Sequence, residues 1–258
     1  MIDPHIHVLP AVDDGARSLD ISRQLIQRMA STGYTTLIAT PHVTDLPTPA
    51  YELRVRNAFE EVVSIAREFG IELLPGYEVL LTSHTAEFLR NGAPFTLGGS
   101  KTILVEVSMA GWPAFTEQML YEIQIAGFTP ILAHPERYPA VVSDPGIAIS
   151  LAERGVLLQA TIGSLNGLFG RAVTTVTETL MTGGAISILA SDAHGVGQRA
   201  ESIPRGIERA KELVGAERVA QLTTGNMAAL LQCHPLPEPA PVAPSSSKRR
   251  SSLPGKRV

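Results

Sequence analysis

Residues able to hold a metal recur through this 258-residue sequence in short clusters. They are His5-Ile6-His7, Asp13-Asp14-Gly15, Thr40-Pro41-His42, Gly76-Tyr77-Glu78, Glu106, Ala133-His134-Pro135-Glu136-Arg137 and Ser191-Asp192-Ala193-His194. Imidazole nitrogens and carboxylate oxygens are the usual protein donors to divalent transition metals. On an extended strand, residues i and i+2 point to the same side about 7 Å apart. His5 with His7, and Asp192 with His194, would therefore each offer two ligands to one ion or to adjacent ions. Five histidines (His5, His7, His42, His134, His194) and four carboxylates (Asp14, Glu78, Glu106, Asp192) stand in these clusters. That exceeds the roughly four to six ligands of one ion, so a multinuclear site with bridging carboxylates is expected.

Each cluster taken singly has a bland reading. His-x-His is common by chance, a glutamate at a strand end is often just solvated, a histidine before proline fits a loop, and Ser-Asp-Ala-His fits a turn with a helix cap. Coincidence of all of them at strand ends carries the metal reading instead. Arg137 directly follows one cluster and Arg199 lies five residues beyond His194. Alone, either is as easily a surface salt bridge. Beside cations they would grip an oxyanion, because a guanidinium binds phosphate as a bidentate fork. His84 falls in a helical stretch and reads as surface, His234 borders the C-terminal segment, and Cys233 reads as a small core or boundary residue.

Other chemistries lose their support. There is no G-x-x-x-x-G-K-[ST] phosphate loop and no G-x-S-x-G elbow. Cys233 lacks the arginine six residues on that a cysteine-based tyrosine phosphatase needs; position 239 is proline. A single cysteine also excludes an internal disulfide framework and a cysteine-rich zinc site.

The elements that must position these groups are legible as an alternation. Seven β-branched or apolar runs, at 1–5, 35–40, 72–77, 102–107, 129–133, 156–160 and 185–190, read as parallel strands buried on both faces. Between them lie helical patterns at about 18–32 (capped by Ser18 and stopped by Gly33), 51–69, 113–126, 145–154, 168–182 and 203–214. This predicts an α/β fold, either a TIM-like barrel or an open doubly wound sheet. Six of the seven strand ends carry ionisable groups; only the sixth, Leu157-Leu158-Gln159-Ala160-Thr161, carries none. Parallel barrel strands deliver their C-terminal ends to one face, where barrel active sites lie. Convergence there favours the barrel.

The formal charge is −4. Residues from His234 onward carry +4, which leaves −8 on the preceding body. So acidic a body is a poor nucleic-acid binder, and no nucleic-acid partner is expected. No apolar stretch reaches the roughly 18 residues of a membrane span, and the start lacks the pattern of a secretory signal. A cytoplasmic protein without an integral membrane segment is expected. Residues 233–258 are rich in Pro, Ser and basic side chains and read as a disordered, solvated appendage.

The quoted clusters, with Leu9-Pro10 and Gly163-Ser164-Leu165, resemble the polymerase-and-histidinol-phosphatase (PHP) superfamily. They are most similar to its bacterial capsule-biosynthesis manganese-dependent tyrosine-protein phosphatases, over residues 1–232. The resemblance implies a distorted seven-stranded (β/α) barrel holding three divalent ions, usually Mn2+. Its ligands would be His5, His7, Asp14, His42, Glu78, Glu106, His134, Asp192 and His194, with Arg137 and Arg199 on the phosphate. The implied substrate is a phosphotyrosine protein, the tail of a bacterial tyrosine autokinase that regulates exopolysaccharide export. Ile6 is bulkier than the small or polar residue expected between the two histidines, and residues 43–50 depart from the family's loop. The expected reaction is metal-assisted phosphomonoester hydrolysis with in-line attack of an activated water. The alternative is a small-molecule phosphatase such as a histidinol phosphatase. An amidohydrolase ranks below these because strand four offers Glu106 rather than a lysine, and a non-catalytic metal protein ranks below because both arginines are kept.

Overall fold

The computed structural model describes residues 1–236. Nine short strands carry the fold: β1 (Ile2–Ile6), β2 (Thr36–Ala39), β3 (His42–Val43), β4 (Glu72–Pro75), β5 (Glu78–Leu80), β6 (Thr102–Glu106), β7 (Thr129–Ala133), β8 (Leu157–Thr161) and β9 (Ile188–Ala190). Every pairing between them is parallel. One sheet has the order β1-β2-β4 and the other β3-β5-β6-β7-β8-β9. The chain is thus an α/β fold with parallel sheets. The end of β1 also meets the segment after β9, where His7 N–H donates to the Ala193 carbonyl and Asp192 N–H to the His5 carbonyl, each at 2.9 Å.

Two of the seven expected strands are interrupted. The run 35–40 gives way at Thr40-Pro41, and a separate strand starts at His42; the run 72–77 ends at Pro75, and Glu78 opens β5. Proline has no N–H to give a ladder. At Gly76 a Cβ would stand 2.8 Å from a Leu97 methyl and 2.9 Å from one of Ile38, so the chain turns where only glycine fits. His42 and Glu78 consequently sit at the starts of second strands, side by side in register.

Between the strands run α1 (Leu19–Ser31), α2 (Pro49–Glu68), α3 (Thr85–Arg90), α4 (Thr116–Ile125), α5 (Pro139–Ser143), α6 (Gly146–Glu153) and α7 (Arg171–Thr182), and α8 (Gln198–Val214) follows β9. The Ser18 hydroxyl accepts from Ile21 N–H at the start of α1, as its sequence position predicts. Helix α8 begins five residues before the expected 203, with Pro204 inside it. Ala200 and Ile203 are fully buried. Packing of that first turn outweighs the hydrogen bond lost at the proline. Two further helices, α9 (Ala216–Ala220) and α10 (Asn226–Leu231), follow.

Except in β4, where Glu72 and Pro75 are exposed, strand side chains are largely buried on both faces, as the near-continuous apolar runs require. In β6, Ile103 and Val105 pack in the large cluster that takes in the helices. Leu104 joins Ile38, Ile131, Ile188, Met227 and Leu230 in a second cluster on the opposite face. Among the described residues no helix is long and apolar enough to cross a membrane. Of the expected C-terminal appendage, Cys233 is exposed, and the portion from residue 237 lies outside the described residues.

Candidate functional site

The nine candidate ligands converge at the strand ends. Four overlapping sets bring donor atoms within 4.8 Å of one another: His7, Asp14, His42 and His194; His5, His134 and Asp192; His5, His7 and Glu78; His42, Glu78 and Glu106. Together these sets contain all nine.

Glu78 is the centre. Its carboxylate is buried, with Oε2 at 3.0 Å from His5 Nε2 and 3.2 Å from both His7 Nε2 and His42 Nδ1. Oε1 lies 2.9 Å from His134 Nε2. Burial alone would raise this carboxyl, but the charge on His5 and hydrogen bonds from His134, His5 and His7 hold it well below the ordinary range. Glu106 Oε1 stands 3.1 Å from His42 Nδ1. Asp14 is the solvent-facing member, its side chain 69% exposed and Oδ1 at 3.4 Å from His42 Nε2 and 3.3 Å from His194 Nε2.

Two ring nitrogens are aimed by partners outside the nine, and a third by a backbone carbonyl within it. His5 Nδ1 lies 2.7 Å from Gln159 Oε1 on β8, and His7 Nδ1 lies 2.8 Å from Asp13 Oδ2. An Nδ1–H donated to these oxygens leaves each Nε2 lone pair turned inward, the usual orientation of a ligating imidazole. Asp13 also accepts from the N–H groups of Gly15 and His42, which ties the loop after β1 to β3. His194 Nδ1 lies 3.0 Å from the Asp192 carbonyl. Sequence reasoning left the strand carrying Gln159 without a role; its signal was one buried amide in an apolar run. Asp13 was quoted only as Asp14's neighbour.

Backbone placement is unusual at two of the nine. His134 has φ 36° and Asp192 φ 50°, both in the left-handed region. Side chains at such positions carry strain of about 1–3 kcal/mol that the surroundings must hold. Asp192 and His194 therefore lie not on a strand, as their i,i+2 spacing suggested, but in the turn after β9, which ends at Ala190.

The residues fit a cation. His5 Nε2 and His7 Nε2 face each other at 3.2 Å over the Glu78 carboxylate, and His134 Nδ1 is buried without a hydrogen bond. Such a crowd of lone pairs is costly unless protons or metal ions lie between them. The donor set is mixed nitrogen and oxygen, suited to borderline and harder divalent ions. Burial, with His7 and Arg199 nearby, lowers His194 to about 4, so its ring is neutral near pH 7. His7 goes the other way: burial opposes its charge, but hydrogen bonds to Asp13 and Glu78 outweigh it and raise the ring to about 10.

Both arginines meet at Asp192. Arg137 Nη1 donates to Oδ2 at 2.6 Å, while Arg199 Nη1 lies 2.9 Å from Oδ1 and 2.7 Å from the carbonyl. Burial would raise Asp192; the charges of His5, His134 and Arg199 hold it at about 2. Phe169 underlies both guanidiniums, its ring centre 4.6 Å from Arg137 Cζ and 5.7 Å from Arg199 Cζ. Nothing in the sequence marked Phe169.

Metal-dependent hydrolases of phosphate esters combine such donors on a parallel α/β scaffold with paired cationic forks, and fold and site together define that class. The comparisons with known proteins narrow it. The chain belongs to the CpsB/CapC family of capsular polysaccharide synthesis, whose model matches residues 1–232. It is 33% identical over 201 residues to the tyrosine-protein phosphatase YwqE of Bacillus subtilis, spanning 77% of this chain and 79% of that protein. A structural match at TM-score 0.85 and 31% identity comes from crystal structures of YwqE and of CpsB from Streptococcus pneumoniae, described as metal-dependent tyrosine phosphatases; it covers 94% of this chain and 98% of that one. A lactonase from Listeria monocytogenes shares the fold alone, at TM-score 0.60 and 15% identity, over 89% of this chain and 94% of that one.

Proposed function

We propose that the chain is a manganese-dependent protein-tyrosine phosphatase that acts in the cytoplasm on the phosphorylated tail of a bacterial tyrosine autokinase in capsule or exopolysaccharide biosynthesis. The observation that carries this is the convergence of nine donors beside two guanidiniums that share one carboxylate. It is a metal-dependent phosphomonoester hydrolase. His5, His7, Asp14, His42, Glu78, Glu106, His134, Asp192 and His194 would hold three divalent ions, with the Glu78 carboxylate at the centre of the set. When bound, such ions lower the pKa of water toward neutrality and neutralise phosphoryl oxygens.

The chain's own groups do the rest. Asp13 and Gln159 fix the ring orientations of His7 and His5. Each guanidinium carries five N–H donors. Only Nη1 of each is engaged with Asp192, so the rest of the fork is free to clamp the phosphoryl group. A tyrosyl leaving group has a pKa near 10. It departs with less proton donation than a serine alkoxide, which suits a site with no dedicated acid among its ligands. The hydrogen bonds from β1 to the segment after β9 support a distorted seven-stranded (β/α) barrel, with residues 1–232 as one phosphatase domain.

The test is phosphate release by metal-depleted protein reloaded with manganese, zinc or magnesium. Recovery with manganese on a phosphotyrosine peptide, and weak release from histidinol phosphate, is the expected result. Good release from histidinol phosphate and none from the peptide would make it a metabolic phosphatase instead.

A further inference from the structure

A pocket of about 360 Å³ opens directly beside the metal-ligand cluster. His194 and Arg199 form one end of it; Leu168, Phe169, Gly195, Gly197 and Gln198 form its walls. Its size falls in the range of about 300–1,000 Å³ typical of small-molecule sites. We infer that this pocket receives the aromatic ring of the substrate's phosphotyrosine, and that Leu168, Phe169 and Gly197 add, through binding, to the preference for aryl over alkyl phosphomonoesters that the leaving group gives. The inference rests on the phosphatase reading above and assigns its ring subsite.

The walls are built for a flat apolar group. Leu168 and Phe169 lie between Gly167 and Gly170, at φ 90° and 92°, a backbone path that lifts two apolar side chains out of the turn after β8. Leu168 is seated closely on Gly163, where a Cβ would stand 2.7 Å from its Cδ2. On the opposite wall the backbone is bare at Gly195 and Gly197, beside the Gln198 side chain. A Cβ at Gly197 would meet nothing within 4 Å, and one at Gly195 only a methyl of Ile21 at 3.6 Å. In an aryl phosphate the ring lies one ester oxygen from phosphorus. A phosphoryl group held by Arg199 next to His194 therefore places that ring within reach of the same two residues that open the pocket. An alkyl phosphate would leave the apolar wall to water and forfeit that burial. The wall is also continuous with the guanidinium shelf, because Phe169 lies under both arginines.

Gly197 has φ −76° and ψ −158°, a conformation open to any residue, so a side chain there fills the pocket without straining the backbone. The experiment compares kcat/KM for phenyl phosphate and for glycerol 2-phosphate on the manganese-loaded full chain, with inorganic phosphate inhibition and metal content followed in parallel. In Gly197→Leu the aryl-to-alkyl ratio is expected to fall about tenfold, through the KM of phenyl phosphate. In Leu168→Ala, which opens the wall instead of filling the space, the expected fall is about threefold. A ratio unmoved in both variants overturns the subsite. So does a parallel loss on both esters with weakened phosphate inhibition, which would make the pocket part of phosphate binding. A wild-type protein that prefers glycerol 2-phosphate overturns the tyrosine-phosphatase reading together with the subsite, whereas aryl preference with an unmoved ratio removes the subsite alone.

Discussion

His5 Nε2 and His7 Nε2 stand 3.2 Å apart, and both point at Glu78 Oε2. Two imidazole lone pairs and a carboxylate oxygen aimed at one point, all buried, repel unless positive charge lies among them. Metal loading should therefore stabilise the fold as well as enable chemistry. Cations at about a thousand times their Kd add about 4 kcal/mol. At 2–4 °C per kcal/mol for a chain of this size, chelation should lower Tm by about 10 °C. Thermal unfolding with a chelator, then with manganese restored, checks this; an unchanged Tm would count against the cluster as a cation site.

Protonation makes the same site pH-dependent. Without metal, His7 is raised to about 10 and is protonated at neutral pH, while His5 and His42 are also raised and hold a proton more tightly than a free imidazole. For His5, burial opposes the charge and Glu78 and Asp192 restore it. Glu78 and Asp192 are held low and are already ionised. Metal binding must therefore displace imidazole protons, and affinity should rise as pH goes from 6 to 8. Calorimetry in buffers of differing ionisation enthalpy should report about one or more protons released per chain. Affinity independent of pH would mean that the rings are neutral before the metal arrives.

Asp13 separates orienting from ligating. Its carboxylate takes His7 Nδ1 and two backbone N–H groups. Asp13→Ala should weaken metal binding about 10–100-fold, the usual effect of removing a partner behind a ligand. Activity should return at high manganese. Asp14→Ala removes a candidate ligand with little behind it, so added metal should restore it less completely. Metal titrations of activity on the two variants decide between these roles.

Much of this was legible because parallel strands buried on both faces leave little room for polar residues. The histidines and acids interrupting apolar runs were conspicuous for that reason. What stayed hidden was backbone geometry and orientation. Nothing in Asp13-Asp14 says which carboxylate turns inward to His7, and no spacing rule shows that His134 and Asp192 adopt left-handed backbone. Phe169 was invisible because its role comes from stacking two arginines distant in sequence. The splitting of two strands was signalled by Pro41 and Pro75-Gly76, but a proline at the end of a β-run reads equally as a strand terminus.

Arg137 should act on turnover, not on metal content. Its Nη1 holds Asp192 Oδ2, but Asp192 keeps Arg199 on its other oxygen. Arg137→Ala should lower kcat about 10²–10³-fold, the typical cost of losing one donor to developing negative charge. Arg137→Lys should fall between, retaining charge without the planar fork. Steady-state kinetics with elemental analysis of each variant tests the assignment. Loss of metal in Arg137→Ala would make it a scaffold for Asp192 instead.

Arg199 depends on where α8 lies, and α8 is set by a close approach. A Cβ on Gly206 would stand 2.5 Å from the Ile162 carbonyl oxygen, a backbone atom that cannot swing aside. Glycine inside a helix costs about 0.5–1 kcal/mol relative to alanine, so Gly206→Ala would stabilise the helix if space allowed. Overpacking against backbone costs about 1–3 kcal/mol. The clash should win, with a net loss of about 1–2 kcal/mol and a Tm lower by about 2–8 °C. Ser202 and Arg199 lie in the same helix, so the shift that relieves the clash also moves the guanidinium off Asp192 and lowers kcat. Thermal unfolding and kinetics on Gly206→Ala check both consequences. A higher Tm with unchanged kcat would mean that helix propensity dominates and that α8 is free to move away from Ile162.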